Sequence, residues 1–498
     1  MNRKIIYLGY QLPLVKSEDI LCSDDILFND NEGRSKYHEF LCVLMDNKEY
    51  LKTAYSQYLF RNFSPKEVEE QINAKFPISY EKYLSLDDNY ASSMKWSSLG
   101  IDNNYYIFKR AGYKELIKRN LKFYVPIPLL NNLLHTVDVD KVFLPKDLIE
   151  YVHKGKAKIV IYQDSEGFLY NDSDFEWFNK FAVNHNFNKD NFIVESANQN
   201  FLFLYKQYEE KTSSKNRFNI FLSTDFEDRP WFLRRGKNFP SELSEHYKIF
   251  FEYLEYKIQF KYKKKLSALA RRCSPERAAI FHKVQTTPVL KDNTYSSLHN
   301  PYKDKKHFLL EQVKYLQQWN VEEVTRWLDK NFDFVNGFSC DLTDQHVNWA
   351  SELNPDMHRN TLVNVTIETH QRPSEEIFLS EKTYRPIYTA QPFIIFGNPG
   401  TLRVLKEMGY KTFDKFWDES YDQDLPISHR LEKLFNTMIE IAQTPNEVLN
   451  GLMEDIEPIL RHNFNVLMSS ERILNKQKIM FNGLYSSKEF KTIKRKLI

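Results

Sequence analysis

Glycine is scarce in this chain: 13 in 498 residues, where a share of about 7% is usual. That excludes collagen-like chains and disfavours glycine-punctuated, many-bladed β architectures. Cysteine is scarcer. Cys22, Cys42, Cys273 and Cys340 are the full set, too far apart for C-x-x-C pairs and without histidine at zinc-ligand spacing, so neither a disulfide scaffold nor a structural zinc site is expected. Such sparse use suits a reducing cytoplasm, the location we expect. No run of about 18 consecutive apolar residues occurs, so no membrane span is expected. The apolar start, Ile5 to Tyr10, is broken by Gln11 and Pro13 and has no small-residue cleavage site before Lys16, so it reads as a first core strand rather than a signal peptide. Neither charge sign prevails: Lys+Arg 69 against Asp+Glu 67 leaves +2, which excludes an acidic disordered tail and a uniformly basic nucleic-acid coat. A G-x-x-x-x-G-K-[ST] loop is also missing, which sets P-loop phosphoryl transfer aside.

What is present is a chain 42% apolar and 27% charged, long enough for two or three domains at roughly 150 residues each. Short apolar runs alternate with amphipathic helical patterns, the mark of α/β units on parallel sheets. Strands are predicted at 4–10, 121–127, 157–162, 192–195 and 217–222, with helices at 35–60 and 173–185. A charged helical stretch over 240–262 leads to a second unit from Lys263. There the pattern predicts a helix over 308–330, strands at 362–367 and 393–396, and a helix bearing Leu402, Leu405 and Met408 that stops at Gly409 as its C′ residue. From 429 the pattern is helical, punctuated at Pro445 and Pro458. The expected organisation is an α/β fold with one domain at 1–255, a second at 256–470 and a helical tail at 471–498.

In open α/β sheets, ligands meet the carboxyl ends of strands, where helix N-termini attract anions. The segment Ser380-Glu381-Lys382-Thr383-Tyr384-Arg385-Pro386-Ile387 suits such a place. Ser380 is a good N-cap, Lys382 and Arg385 share one helix face, and Glu381 can accept from vicinal ribose hydroxyls. These residues describe a nucleoside diphosphate pocket; an ordinary capped surface helix is the other reading.

The longer run from Val363 to Asp422 carries more. It contains Asn364-Val365-Thr366-Ile367-Glu368-Thr369, then Phe378 to Ile387, Gln391-Pro392-Phe393-Ile394 and Gly397-Asn398-Pro399-Gly400-Thr401-Leu402. It closes with Gly409-Tyr410-Lys411-Thr412-Phe413 and Asp418-Glu419-Ser420-Tyr421-Asp422. This run resembles the donor-binding motif of GT-B glycosyltransferases related to α-1,3-fucosyltransferases, more closely their bacterial, phage and giant-virus relatives. A weaker match spans Lys264 to Arg277 and resembles the same enzymes' strand, arginine-rich loop and helix. It departs from them at Ala270, where asparagine is usual, and at Glu276, where histidine is common.

The resemblance implies two Rossmann-like domains facing across a cleft, the C-terminal one holding a GDP- or UDP-linked sugar as co-substrate, with no further cofactor. The donor-binding residues it implies are Arg271, Arg272, Arg277, Glu368, Ser380, Glu381, Lys382, Thr383 and Arg385. Lys382, with Arg271 or Arg272, would meet the departing diphosphate, where fixed cations lower the barrier. Transfer would be metal-independent and inverting. The triplet Asp138-Val139-Asp140 is a weak metal signal that reads equally as a turn.

The acceptor hydroxyl needs a base. Glu166, with Asp164 second, follows the predicted strand Ile159 to Tyr162 and is the preferred carboxylate; Asp225, Glu227 and Asp228 form a rival cluster. His185, His282 and His370 stand near strand-end loops, with His370 a candidate contact. The acceptor could be a glycan, a protein side chain, a small molecule or a hydroxymethylated pyrimidine in DNA. Basic clusters at Lys261–Lys265, Lys303–Lys306 and Lys491–Lys496 read as phosphate contacts or as solvated helix faces. A catalytically inactive nucleotide- or sugar-binding module is the alternative function.

Overall fold

The computed structural model describes residues 4–10, 106–129, 139–141, 144–163, 171–215, 217–222, 243–270, 274–298, 322, 326, 329–330, 355–371 and 376–469. The predicted helix at 35–60, most of that at 308–330, the tail at 471–498 and the four cysteines lie outside the described residues, as do Lys303–Lys306 and Lys491–Lys496. The described residues divide into two compact units, one up to Leu222 and the other from Leu243 to Ser469. Both are parallel α/β sheets, the class the pattern predicts.

The first unit runs β1 (Lys4–Tyr10), β2 (Tyr106–Gly112), α1 (Tyr113–Lys118), β3 (Phe123–Leu129), α2 (Lys146–His153), β4 (Ala157–Gln163), α3 (Asp172–Asn184), β5 (Phe192–Ser196), α4 (Phe201–Thr212) and β6 (Asn219–Leu222). Its sheet order is β2-β1-β3-β4-β5-β6, every pairing parallel. The order reverses between β1 and β3. β3 pairs with β4 along its whole length, from Phe123↔Ala157 to Leu129↔Gln163, but with β1 only at Tyr7↔Phe123 and Leu8↔Tyr124. Register and covalent chemistry together explain the difference. With Tyr7 opposite Phe123, β1 ends at Tyr10, opposite Pro126, so only its last residues can meet β3. The N–H of Phe123 donates towards β4, to the carbonyl of Lys156 at 3.1 Å, so even-numbered residues turn to β1, and Pro126 has no N–H to give there.

α3 begins where Asn171 closes a reciprocal cap: its side chain accepts from the Ser173 and Asp174 amides at 2.9 and 3.2 Å, and Asp174 accepts from the Asn171 amide at 2.9 Å. Its inner face joins an aromatic core of Phe175, Phe178 and Phe181 with Phe192, Tyr205 and Phe218.

The second unit runs α5 (Leu243–Ile258), β7 (Lys264–Ala270), α6 (Pro275–Thr286), α7 (Pro288–Asn293), β8 (Thr294–Leu298), α8 (Pro355–Arg359), β9 (Thr361–Ile367), α9 (Glu381–Tyr388), β10 (Phe393–Phe396), α10 (Thr401–Glu407), a 3-10 turn (Ser420–Asp422), α11 (Ile427–Gln443) and α12 (Asn446–Leu467). The sheet order is β10-β9-β7-β8, all parallel. β7 thus has β8 on one side and β9 on the other, which makes the β7/β9 crevice the point of chain reversal. β9 is buried at every position, as expected of a central strand covered on both faces.

Two strands escape the periodicity. β2, Tyr-Ile-Phe-Lys-Arg-Ala-Gly, carries adjacent charges; β8, Thr-Tyr-Ser-Ser-Leu, is polar by composition yet wholly buried, with Ser296 Oγ accepting from Gln285 Nε2 at 2.9 Å. α10 ends as predicted. Gly409 takes φ +93° and donates to the Lys406 carbonyl at 3.0 Å while Tyr410 donates to that of Leu405 at 3.0 Å, a left-handed stop that a side chain would strain. Pro445 separates α11 from α12 as expected, but Pro458 lies inside α12 and does not end it. The basic stretch at 261–265 is partly structural: Lys264 donates to the Asp292 carbonyl at 2.6 Å, and Lys265 to those of Ala442 and Thr444 at 2.8 and 2.7 Å, closing the C-terminus of α11. Behind the sheet, Lys257 of α5 is fully buried and donates to the His358 carbonyl at 2.8 Å; burial pushes its ammonium down to about 7. Among the described residues no helix is long and apolar enough to cross a membrane.

Candidate functional site

The site forms at the carboxyl edge of β7 and β9, where a reversal of strand order leaves a crevice. Glu368 is the first residue after β9 and is fully buried. Its carboxylate accepts from four donors: the Ser380 and Thr369 amides at 3.1 and 3.2 Å, and the Ser380 and Thr383 hydroxyls at 2.5 Å each. The negative charge therefore lies beneath the N-terminus of α9, whose dipole favours it.

Ser380 is the N-cap of α9, its hydroxyl accepting from the Lys382 amide at 3.2 Å. Farther along the helix, Pro386 cannot donate to the Lys382 carbonyl. That carbonyl instead accepts from Thr366 Oγ1 at 3.3 Å, so β9 repairs the gap the proline leaves.

At the mouth, Lys382 Nζ lies 2.9 Å from Glu381 Oε1 and donates to Ser380 Oγ at 3.2 Å and Thr369 Oγ1 at 3.4 Å. The lysine is 28% exposed and Glu381 8%, so solvent reaches the cation first. Burial alone would raise the Glu381 carboxyl; the opposing charges of Lys382 and Arg385, with the Lys382 hydrogen bond, outweigh it and hold it below its ordinary value. Burial lowers the Arg385 guanidinium, resisted by Glu381 and Glu368. Ser380, Glu381, Lys382, Thr383, Arg385 and Glu368 thus form one connected cluster.

Arg277 reaches the same edge from α6. Its Nη2 donates to the Ile367 and Glu368 carbonyls at 3.3 and 2.8 Å, tying the end of β9 to the helix that follows β7. Arg271, Arg272, Asp164, Glu166, Asp225, Glu227 and Asp228 lie outside the described residues. His185 is buried against its own helix, with Nδ1 2.9 Å from the Phe181 carbonyl. His282 is buried within α6. His370 is 40% exposed, with Nε2 3.9 Å from Glu376 Oε1. Val139–Lys141 is a 3-10 turn, and the Asp140 carboxylate takes hydrogen bonds from Lys180 and Asn184 at 2.5 and 2.9 Å; these hold it below its ordinary value.

The acidic stretch 418–422 pins loops. Asp418 accepts from the Ser420 amide at 2.9 Å, Glu419 from the Phe413 amide and Thr412 hydroxyl at 2.8 Å each, and Asp422 from the Leu402 amide at 2.8 Å. Asp422 thereby occupies the N-terminus of α10; burial pushes its carboxyl up to about 7, against the Leu402 amide and Arg430.

One residue escaped the sequence reading. Arg430 of α11 heads the largest fully buried side chains. It donates to the Tyr421 carbonyl at 2.7 Å, to the Gly397 carbonyl at 2.6 Å and to the Gln371 carbonyl, with its guanidinium carbon 4.8 Å from the centre of the Phe396 ring. Burial lowers it to about 10, opposed by Asp422 and Asp424. In an amphipathic helix pattern an arginine signals a solvent face, so no local signal marks it.

No family model matches the sequence, and no curated protein matches it. Among solved structures, the α,α-trehalose 6-phosphate synthase of Burkholderia multivorans is 10% identical with a TM-score of 0.35, over 96% of this chain and 99% of that one. The N-terminal domain of Candida albicans trehalose-6-phosphate phosphatase is 13% identical with a TM-score of 0.34, over 96% and 97%. A UDP-forming α,α-trehalose-phosphate synthase of Burkholderia xenovorans, in complex with glucose-6-phosphate, is 10% identical with a TM-score of 0.32, over 80% and 86%. Likeness this faint carries no functional argument.

Proposed function

We propose that the protein is a GT-B glycosyltransferase that binds a nucleotide-sugar donor at the β7/β9 crevice of its second unit and transfers the sugar to an acceptor hydroxyl. The observation that carries this reading is the pairing of Lys382 and Glu381 at the mouth of α9, at the strand-order reversal, on the residues whose sequence resembles a donor-binding motif. Vicinal ribose hydroxyls donate to Glu381, and the Lys382 ammonium turns from Glu381 to the diphosphate. As the acceptor oxygen bonds to the anomeric carbon, the carbon–oxygen bond to phosphate breaks. Its electron pair leaves with the diphosphate beside Lys382, and the acceptor proton passes to a carboxylate, Glu166 with Asp164 as second choice. Negative charge grows next to a cation already in place, which is electrostatic stabilisation. Attack from the face opposite the leaving group inverts the anomeric centre. GDP and UDP sugars are the donor classes to try first, against glycan, protein, small-molecule and hydroxymethylated-pyrimidine acceptors.

Thermal-shift and calorimetric titration with GDP, UDP, CMP and dTDP sugars tests the reading. At least one is expected to raise the midpoint, and Lys382→Ala should weaken its binding about tenfold or more, as loss of a charge-assisted contact does. No shift with any donor, or full affinity in Lys382→Ala, overturns it.

A further inference from the structure

We infer that Arg430 is a positioning residue that fixes the Glu368 carboxylate beneath α9 by clamping the loop after β9. Its guanidinium joins three segments at the carboxyl edge of the sheet: the loop after β9 through the Gln371 carbonyl, the loop after β10 through that of Gly397, and the 3-10 turn through that of Tyr421. A planar fork of five donors suits this task, because Nε, Nη1 and Nη2 each meet a different carbonyl, whereas a lysine's three donors all radiate from one nitrogen. Gln371 passes the constraint on. Its backbone carbonyl is held by Arg430, and its side-chain Nε2 donates to the Glu368 carbonyl, which Arg277 Nη2 also grips from the other side at 2.8 Å. Glu368 is thus fixed at its main chain by Gln371 and Arg277, and its side chain in turn holds Ser380 and Thr383, the start of the helix that carries Lys382. The Phe396 ring under the guanidinium keeps the plane from tilting.

The functional consequence rests on the proposed donor site; the mechanical claim does not. Hydrogen exchange on the full chain tests it, comparing wild type with Arg430→Lys. Arg430→Lys is expected to stay folded while the Thr369 and Ser380 amides, which Glu368 accepts from, exchange at least tenfold faster and the amides of α12 exchange at the wild-type rate. A residue that merely stabilises the unit would speed exchange throughout α11, α12 and the sheet alike. Should Arg430→Lys not fold, Gln371→Ala decides, since it leaves the guanidinium contacts intact and cuts the relay one step later; the same two amides should loosen. Wild-type protection of Thr369 and Ser380 in the folded variant overturns the inference, as does uniform loosening. Affinity for whichever of the GDP, UDP, CMP and dTDP sugars wild type binds, measured on the same samples, is expected to fall about tenfold. Were wild type to bind none of them, the donor reading would fail while the exchange result still decided the role of Arg430.

Discussion

Replacing Glu368 by glutamine asks how much of the site is held by one buried charge. Four donors converge on its two oxygens, and a glutamine can present an acceptor to only one side. With the amide nitrogen at the Oε2 position, the Ser380 hydroxyl can turn and accept, but the Thr369 amide faces a donor. With the nitrogen at Oε1, the Ser380 amide is orphaned instead. Either way one buried backbone donor loses its partner, at about 1–3 kcal/mol, and the charge favoured at the helix N-terminus is lost, at about 0.3–1 kcal/mol. The expected destabilisation is therefore about 1–4 kcal/mol, or a midpoint roughly 2–16 °C lower at about 2–4 °C per kcal/mol for a unit of this size. Urea titration followed by circular dichroism measures it, with Glu381→Gln as the reference because that carboxylate meets its partners at the mouth. Glu381→Gln should cost less than half as much. A loss below about 1 kcal/mol in Glu368→Gln, or one no greater than in Glu381→Gln, would refute the view that this carboxylate is the site's structural centre.

Two other expectations concern charge elsewhere. Lys257 titrates near 7 when folded against an ordinary 10.5, so below about 7 both folded and unfolded chains hold the proton and the full penalty applies. Between those values only the unfolded chain holds it, and stability rises with pH by up to about 1.4 kcal/mol per unit. Denaturation from pH 7 to 9 should show this slope in wild type and not in Lys257→Met; an equal slope in both removes the assignment. In the proposed transfer, Glu166→Gln should abolish most turnover with donor affinity nearly intact, measured by product formation alongside calorimetry, and undiminished turnover would exclude Glu166 as the base.

Much of the second unit was legible because its signals are local. The apolar run Phe393–Phe396 fixes β10 and the β-branched stretch Leu362–Ile367 fixes β9, Gly409 marks the end of α10, and Ser380 caps α9 where the cap pattern places it. The misses are non-local. β8 is buried although polar, because its hydroxyls find partners such as Gln285 from another element, and composition cannot report a partner. Arg277 shows a related limit of local pattern: its Nη2 lies on carbonyls at the end of β9, an acceptor that nothing near it in the chain announces. Arg430 is the extreme case: its three acceptors come from segments 9, 33 and 59 residues away, so nothing near it in the chain announces a buried role. Pro458 shows the converse, a strong local breaker overridden by the packing of α12.

Pro126 has a consequence for the first sheet. In the register Tyr7↔Phe123 and Leu8↔Tyr124 it stands opposite Tyr10, the last residue of β1, and it carries no hydrogen on nitrogen to give. The ladder between β1 and β3 thus lacks a rung at the carboxyl end of β1, beside the reversal of strand order, which is where open α/β sheets take their ligands.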